Sequence, residues 1–184
     1  MLGLGTAHFA SIKLEGVPAE RLPGSGDPRR DVLVVAARHR VIDGARLVGC
    51  MRAASEYAFK YSTERRAFGK ALYEHQALAF MMANMATRVD ACRWLVWRAA
   101  WRLDTIGAEG NPLEAALHDA VIAHRHASEL AVLVTTDAVQ LLGGHGYIQD
   151  HPVEKWMRDA RCLGLVDGLS VDDDATIAET VVGA

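Results

Sequence analysis

The spacing of the apolar residues constrains the fold of this chain most strongly, because they recur three and four positions apart over long stretches. This period places them on one face of an α-helix. It predicts a first helix from Asp31 to about Tyr61, a second over 72–105 and a third over 112–142. Long helices with short joins favour an antiparallel bundle, so the sequence predicts an all-α fold. The second stripe is formed by Phe80, Met81, Met85, Val89, Cys92, Val96, Ala99, Ala100 and Leu103.

Residues with special backbone preferences mark the predicted helix ends. Asn111, Pro112 and Glu114 are typical of an N-cap, a first helical position and a first turn, so they predict the start of the third helix. Gly143 predicts its end, because glycine readily adopts the left-handed turn that terminates a helix. Pro152 then predicts the start of a fourth, shorter helix, which completes a four-helix bundle.

The two ends of the chain have weaker patterns. Residues 7–15 alternate imperfectly between apolar and polar side chains, which predicts a short strand. The glycines and prolines of residues 16–30 predict a loop. One strand cannot form a sheet alone, so it pairs with another chain or belongs to a longer protein. We therefore divide the chain into residues 1–30 and a helical domain over 31–184, in which Asp172–Asp174 cap a last helix over 175–182.

Charge and hydropathy exclude several functional classes. The net charge of −3 offers no general attraction for nucleic acid. No apolar run reaches the ~20 residues that a membrane span needs, and the first residues do not resemble a signal peptide.

The cysteines and histidines predict neither a disulfide nor a metal site. Cys50, Cys92 and Cys162 are odd in number and far apart, which favours reduced, buried thiols and a cytoplasmic protein. A reactive thiol is the alternative. His124 and His126 are two positions apart, so they point away from each other on a helix and are unsuited to a shared metal ion.

A cluster of cations and one aromatic residue lies between the first two predicted helices. Arg65 offers a planar guanidinium for a pyrophosphate, and Phe68 offers a flat face for an adenine. Gln76 carries a donor and an acceptor for the edge of a nucleotide. The alternative is a helix C-terminus with cations near its carbonyl groups and a core phenylalanine. Spacing alone favours this alternative.

The second candidate site is the glycine-rich stretch Gln140–Tyr147. Its glycines predict a close approach of the backbone to another chain or a ligand. A simple helix end with a buried amide at Gln140 is the alternative. His145 in this stretch is predicted to be exposed rather than catalytic.

A third cluster lies on the second predicted helix. Three tryptophans share one face of that helix and predict a helix–helix contact, within this subunit or with a neighbour. A stacking surface for nucleic acid is a weaker alternative. The residues are Trp94, Trp97 and Trp101, with Arg93, Arg98 and Arg102 beside them.

Together, these motifs resemble the C-terminal part of the acyl-CoA dehydrogenase family. The resemblance rests on Glu64–Lys70, on Glu74–Gln76, on Gln140–Tyr147 and on Pro152–Arg161, with the spacing between them. It covers nearly the whole chain and implies that residues 1–30 are a remnant of the family's β-domain. The family's N-terminal helical domain and most of its β-domain have no counterpart in this sequence.

The resemblance implies a cofactor and a set of binding residues. Family members bind flavin adenine dinucleotide (FAD) between the β-domain and the helical bundle and assemble as dimers or tetramers. By analogy, Arg65, Phe68 and Gln76 contact the adenosine and pyrophosphate end of a flavin held by the partner subunit. The residues Gln140, Gly143 and Gly144 also lie against the cofactor, and Arg40 helps to shape the acyl-CoA pocket.

The chemistry implied by the resemblance is α,β-dehydrogenation of an acyl-CoA thioester. A carboxylate removes the α-proton while the β-hydrogen leaves as hydride to the flavin. The family's commonest base is a glutamate followed by glycine and threonine, where this chain has Asp167 and Leu169. The aspartate is shorter by one C–C bond, ~1.5 Å. A minority of the family carries its base on the first helix, where this chain has His39.

Three functional hypotheses follow. The first is a subunit or part of an acyl-CoA dehydrogenase that supplies half of a flavin site, with acyl-CoA as substrate and an electron-transfer flavoprotein as a possible acceptor. The second is a non-catalytic family member, folded as a helical bundle with a structural or interaction role. The third is an unrelated helical scaffold. The motif match favours the first hypothesis, with Asp167 as the candidate base.

Overall fold

The computed structural model describes residues 3–7, 10–20 and 23–165. These ranges contain four α-helices: α1 (Pro28–Glu64), α2 (Gln76–Asp104), α3 (Leu113–Leu142) and α4 (Val153–Leu163). Helix α3 packs against each of the other three, and α1 also contacts α2 and α4. The predicted all-α bundle is confirmed. The helix predicted over 175–182 and the candidate base Asp167 lie outside the described residues.

Helix α1 begins three residues before the predicted Asp31, because Asp27 and Pro28 form a complete N-terminal cap. The Asp27 carboxylate accepts hydrogen bonds from the backbone N–H groups of Arg29 and Arg30, at 3.0 and 3.2 Å. Pro28 occupies the first helical position, where its missing N–H costs nothing. This local arrangement satisfies donors that would otherwise remain unpaired at the start of the helix.

The predicted cap of α3 is wrong in its details. Pro112 is the N-cap residue, and the Asn111 side chain makes no capping bond there. Instead, the buried Asn111 amide donates to the carbonyl oxygen of Arg102 and to Thr105 Oγ1, both at 2.9 Å. Its oxygen accepts a bond from the Arg102 guanidinium at 3.2 Å. Asn111 therefore satisfies the end of α2 rather than the start of α3.

Small side chains let the helices approach closely in the core. Gly44 of α1 is buried, and a Cβ atom at this position would lie 3.2 Å from Val96 Cγ2 on α2. The inner face of α3 is lined with alanines that are at most 1% exposed: Ala116, Ala120, Ala123, Ala127, Ala131 and Ala138.

A buried carboxylate joins α2 to α3. Asp119 of α3 lies 2.8 Å from the Arg98 guanidinium and 2.6 Å from Arg102 Nε. Two of the three arginines that accompany the tryptophans thus pair with Asp119, and the third, Arg93, pairs with Asp90 at 2.6 Å. This arrangement argues against the nucleic-acid alternative for that helix.

The short strand lies at a different place from the one predicted. Of the predicted strand over 7–15, the structure describes Ala7 and residues 10–15. Residues 10–15 form no regular structure, and Ile12 and Leu14 are largely exposed. A lone segment has no partner for its backbone N–H and C=O groups. The two strands of the described chain are β1 (Arg66–Ala67) and β2 (Lys70–Ala71), which pair antiparallel as a small hairpin after α1.

The three tryptophans of α2 lie on one outer face of the bundle. Trp94, Trp97 and Trp101 are each more than half exposed, and the rings of Trp94 and Trp97 meet edge to face at 5.1 Å. The predicted contact is therefore not made within the described part of this chain, which leaves contact with a neighbour as the prediction. No helix in the described ranges combines the length and apolarity needed to cross a membrane.

Candidate functional site

The residues of the two sequence motifs come together in one groove. Arg65, directly after α1, lines a cavity of about 380 Å³ with Gln140, Gly143 and Gly144 at the end of α3. Its other walls are Tyr61, Leu72, Leu78, Leu141, Leu142 and His145. This volume falls within the ~300–1,000 Å³ of small-molecule sites. The antiparallel packing of the bundle thus joins residues that are far apart in sequence.

The groove is suited to an anion. Arg65 is exposed, and among the described residues its guanidinium has no hydrogen-bond or ion-pair partner. None of the described residues that line the groove is an aspartate or a glutamate. A guanidinium without a competing carboxylate is well matched to a phosphate or pyrophosphate group, which it can bind with two parallel hydrogen bonds.

The three glycines of this segment have different roles. Gly143 and Gly144 have open space where a side chain would be, so a ligand can approach their backbone. Gly143 has a positive φ of 58°, as the predicted helix end requires. At Gly146, a Cβ atom would lie 2.4 Å from the Val139 carbonyl oxygen, so this glycine allows close packing on α3. Gly143 and Gly144 thus leave the groove open to a ligand, whereas Gly146 is needed for packing of the fold.

Phe68 is held in a strained and fully displayed conformation. It is 96% exposed and has a φ of 53°, which is unusual for a residue with a bulky side chain. With Gly69, at φ 84°, it forms the turn between β1 and β2. His75 braces this turn by donating from Nε2 to the Ala67 carbonyl oxygen at 3.1 Å. An exposed aromatic in a strained turn is a feature that points to function rather than to packing.

The remaining predicted residues lie outside the groove. Gln76 is the exposed first residue of α2, beside the hairpin. Arg40 is half-buried on α1, and a separation of 25 residues along a helix places it roughly 37 Å from Arg65. The structure therefore brings Arg65 together with Gln140, Gly143 and Gly144, but not with Arg40.

His39 forms a pair with a buried carboxylate on α1. Its Nε2 lies 3.0 Å from Asp43 Oδ2, and Arg46 approaches the other oxygen of Asp43 at 2.7 Å. Asp43 is only 2% exposed. Sequence reasoning identified His39 but not this partner, although the spacing of four residues on a helix is a signal for such a contact.

Four rings beside the groove form a cluster that sequence reasoning missed. Tyr61 Oη lies 2.7 Å from His145 Nδ1, and Tyr57 Oη lies 2.8 Å from His151 Nδ1. The two imidazoles stack on each other at 5.3 Å with an angle of 18° between their planes. His145 is exposed, as expected. The spacing of Tyr57 and Tyr61 is the signal that could have revealed a shared helix face.

The charged residues of α4 make ion pairs and hydrogen bonds that have a structural role. The Arg158 guanidinium bonds Glu154 at 2.8 and 3.0 Å, and this hydrogen bond holds the pKa of Glu154 below its usual range. Burial raises the pKa of Asp159, but hydrogen bonds from Lys155 and from the Leu4 amide outweigh burial, so its pKa is also lowered. These contacts fix α4 and tie the first residues of the chain to it.

No metal centre is found in the described ranges, where no group of three or more His, Cys, Asp or Glu side chains could hold an ion. The candidate site is therefore the groove with its adjoining hairpin.

Comparison with known proteins identifies the family. Residues 32–181 match the model of the acyl-CoA dehydrogenase C-terminal domain, so the chain belongs to the acyl-CoA dehydrogenase family. It is 37% identical to the short-chain specific acyl-CoA dehydrogenase of Megasphaera elsdenii over 91% of this chain and 43% of that protein. It is 36% identical to the cyclohexane-1-carbonyl-CoA dehydrogenase of Geobacter metallireducens, over 76% of this chain and 35% of that protein.

Solved structures agree with this assignment. The butyryl-CoA dehydrogenase of Megasphaera elsdenii superposes with a TM-score of 0.74 at 33% identity, over 83% of this chain and 38% of that one. A chain from a study of the electron transferring flavoprotein of Acidaminococcus fermentans gives 0.75 at 35% identity, with the same coverage. The chain thus spans about two fifths of the length of these relatives.

Proposed function

We propose that this chain supplies part of the FAD site of an acyl-CoA dehydrogenase, and that the assembled enzyme catalyses α,β-dehydrogenation of an acyl-CoA thioester. The observation that carries the proposal is the groove, in which Arg65, Gln140, Gly143 and Gly144 meet and no carboxylate is found among the described lining residues. When bound, FAD supplies the acceptor for the hydride that leaves the β-carbon.

The residues of the groove fit the nucleotide end of this cofactor. Arg65 binds the pyrophosphate, because it is the one arginine or lysine among the described residues that line the groove. The bare backbone at Gly143 and Gly144 allows a close approach of the phosphate oxygens. Phe68 displays its ring for stacking on the adenine, and Gln76, which follows the His75 ring that meets Phe68 edge to face, offers an amide for the edge of the base.

Other parts of the site are supplied from outside this groove. A second copy of the chain or another subunit that carries a β-domain encloses the rest of the flavin. Arg40 contributes to the acyl-CoA pocket at the other end of α1. An electron-transfer flavoprotein is the expected acceptor, in keeping with the relative from the Acidaminococcus fermentans study.

The Arg65→Ala substitution tests the binding role. It should weaken FAD retention by ~1.5–3 kcal/mol, the range for a hydrogen bond to a charged group, which is about ten- to a hundredfold in affinity. Retention is measured from the visible flavin absorption after FAD is added and the excess removed. The control is Arg66→Ala, which removes a neighbouring exposed arginine that donates to the Gly69 carbonyl oxygen and does not line the groove. Equal effects of the two substitutions would contradict the assignment.

The proposed base is Asp167, the residue of this chain at the sequence position of the family's commonest base. Asp167→Asn keeps the size of the side chain but removes the proton acceptor. Turnover of an acyl-CoA by the reconstituted enzyme should fall by ~100-fold or more, while FAD retention should not change. If turnover persists, Asp167 is not the base, and His39 with its partner Asp43 becomes the residue to test.

A further inference from the structure

The ring cluster beside the groove holds one imidazole in a fixed orientation. His145 Nδ1 lies 2.7 Å from the Tyr61 hydroxyl, and the Tyr61 ring meets the imidazole edge to face at 5.9 Å. The face of the imidazole stacks on His151 at 5.3 Å. His151 is in turn held by the hydroxyl of Tyr57 at 2.8 Å. The orientation of His145 is therefore set both by a hydrogen bond and by packing.

The second nitrogen of this imidazole is free to bind a ligand. His145 lines the groove with Arg65, and among the residues that the structure describes no group bonds its Nε2. A tyrosine hydroxyl that donates to Nδ1 places the proton of a neutral imidazole on Nε2. The side chain then presents an N–H donor in a groove whose described lining also contains a guanidinium and has no carboxylate.

We propose that His145 is a ligand-contacting residue of this groove and donates from Nε2 to a phosphate oxygen of a nucleoside diphosphate group. Arg65 binds the same group through its guanidinium. Tyr61 and His151 are positioning residues, because Tyr61 holds the imidazole through the hydrogen bond to Nδ1 and His151 sets the plane of the ring by stacking. This inference rests on the proposed function and adds a residue to the binding site.

A purely structural role of His145 explains less of the geometry. The Tyr57–His151 pair already ties the segment after α3 to α1. A second tie does not require an exposed imidazole that lines an anion-suited groove. The two roles differ in one respect, since only a ligand contact makes the binding of a phosphate compound depend on the His145 nitrogens.

The first test measures the affinity of the full chain for ADP by titration calorimetry. In His145→Phe an aromatic ring is kept for stacking and both nitrogens are lost, so ADP affinity should fall roughly tenfold. The control is His126→Phe, which makes the same change at an exposed histidine of α3 away from the groove and should leave the affinity unchanged.

The second test concerns the positioning role of Tyr61. In the wild type, the ¹⁵N shifts of the His145 ring should show a proton on Nε2 and a hydrogen-bonded lone pair on Nδ1. In Tyr61→Phe, which removes only the hydroxyl, they should show a mixture of tautomers, and ADP affinity should fall several-fold. A merely structural tyrosine leaves the tautomer unchanged.

The outcomes separate this inference from the proposed function. If Arg65→Ala weakens ADP binding and His145→Phe does not, the groove binds nucleotide and the role of His145 is refuted. If wild type fails to bind ADP at millimolar concentrations, the phosphate contact of His145 is refuted for this chain, whereas the proposed function is judged by FAD retention in the reconstituted enzyme. Equal losses in His145→Phe and His126→Phe would also refute the specific contact.

Discussion

At the scale of single residues, burial decides the chemistry of the thiols. Burial, with a smaller effect of the Asp159 charge, raises the pKa of Cys50 to about 11, and burial raises the pKa of Cys92 to about 11 as well. Cys50 also donates from Sγ to the Trp156 carbonyl oxygen at 3.3 Å. Cys92 is fully buried, whereas Cys50 and Cys162 are half-buried, so the prediction of three buried thiols is wrong in part.

Labelling with a maleimide should therefore discriminate among the three thiols. Cys162 lines an open apolar cavity of about 300 Å³ between α3 and α4 and should react first. With a pKa of about 11, only roughly one molecule in a thousand carries the thiolate at pH 8. The labelling rates of Cys50 and Cys92 should rise about tenfold per pH unit below that pKa. Mass spectrometry between pH 7 and 9 measures them, and labelling of Cys92 as fast as Cys162 would contradict this account.

Some single-residue roles could be predicted from sequence and others could not. The same two-residue signal, a capping side chain followed by proline, occurs at Asp27–Pro28 and at Asn111–Pro112. The Asp27 side chain caps the start of α1, whereas the Asn111 side chain bonds the end of α2 instead. Local spacing could not distinguish them, because the partner of Asn111 becomes available only when the turn between α2 and α3 is formed. The sequence likewise does not reveal that His145 is held in a fixed orientation, because its partner Tyr61 is 84 residues away in sequence.

At the scale of helices, two glycines of α1 differ in burial, so substitutions at them should change the free energy of unfolding in opposite directions. Gly44 is buried, and a Cβ atom there would lie 3.2 Å from Val96, so Gly44→Val should overpack the α1–α2 contact. The free energy of unfolding should fall by about 1–3 kcal/mol. Gly49 is exposed with nothing within 4 Å, so Gly49→Ala should stabilise the helix by roughly 0.5–1 kcal/mol. Urea denaturation measures both, and a shift of the same sign in both would contradict the packing argument.

The regularity of each apolar stripe decided how well its helix could be predicted. The predicted face of α2 is buried from Met85 to Leu103 except for the half-buried Ala100, and only Phe80 at its start is exposed. On α1, the apolar spacing predicts one buried face that includes Ala45, Val48 and Ala58. Val48 and Ala58 are buried, but Ala45 is exposed while Leu47 is fully buried. Helix α1 also carries apolar residues on its outer side, so composition alone could not fix its rotation in the bundle. These outer residues include Val32, Leu33, Val35 and Ile42.

At the scale of the whole molecule, the tryptophan face of α2 predicts association. Three large aromatic side chains that are each more than half exposed form a patch of the kind that subunit contacts cover. Trp97→Asp places a charge at its centre and should lower the mass of the assembly in analytical sedimentation. Val35→Asp, at an equally exposed apolar residue of α1, is the matched control. A monomeric wild type would rule out association through this face.

Residues of the groove could be predicted from the sequence, but their relative positions in the fold could not. Resemblance selected Arg65 and Gln140 from two distant motifs, and the structure brings both into one cavity. Arg40, selected in the same way, lies near the other end of α1. Sequence motifs do not contain the helix lengths and crossing geometry that decide which residues become neighbours.

The location of the groove links ligand binding to the integrity of the bundle. Its walls come from the end of α1, the start of α2 and the end of α3, so they separate when these helices come apart. A compound that binds only the closed walls shifts the unfolding equilibrium by mass action, by about 2.7 kcal/mol when its concentration is a hundred times its dissociation constant. The melting temperature of the bundle thus reports how far the groove is occupied, since it rises with the concentration of the compound that binds there.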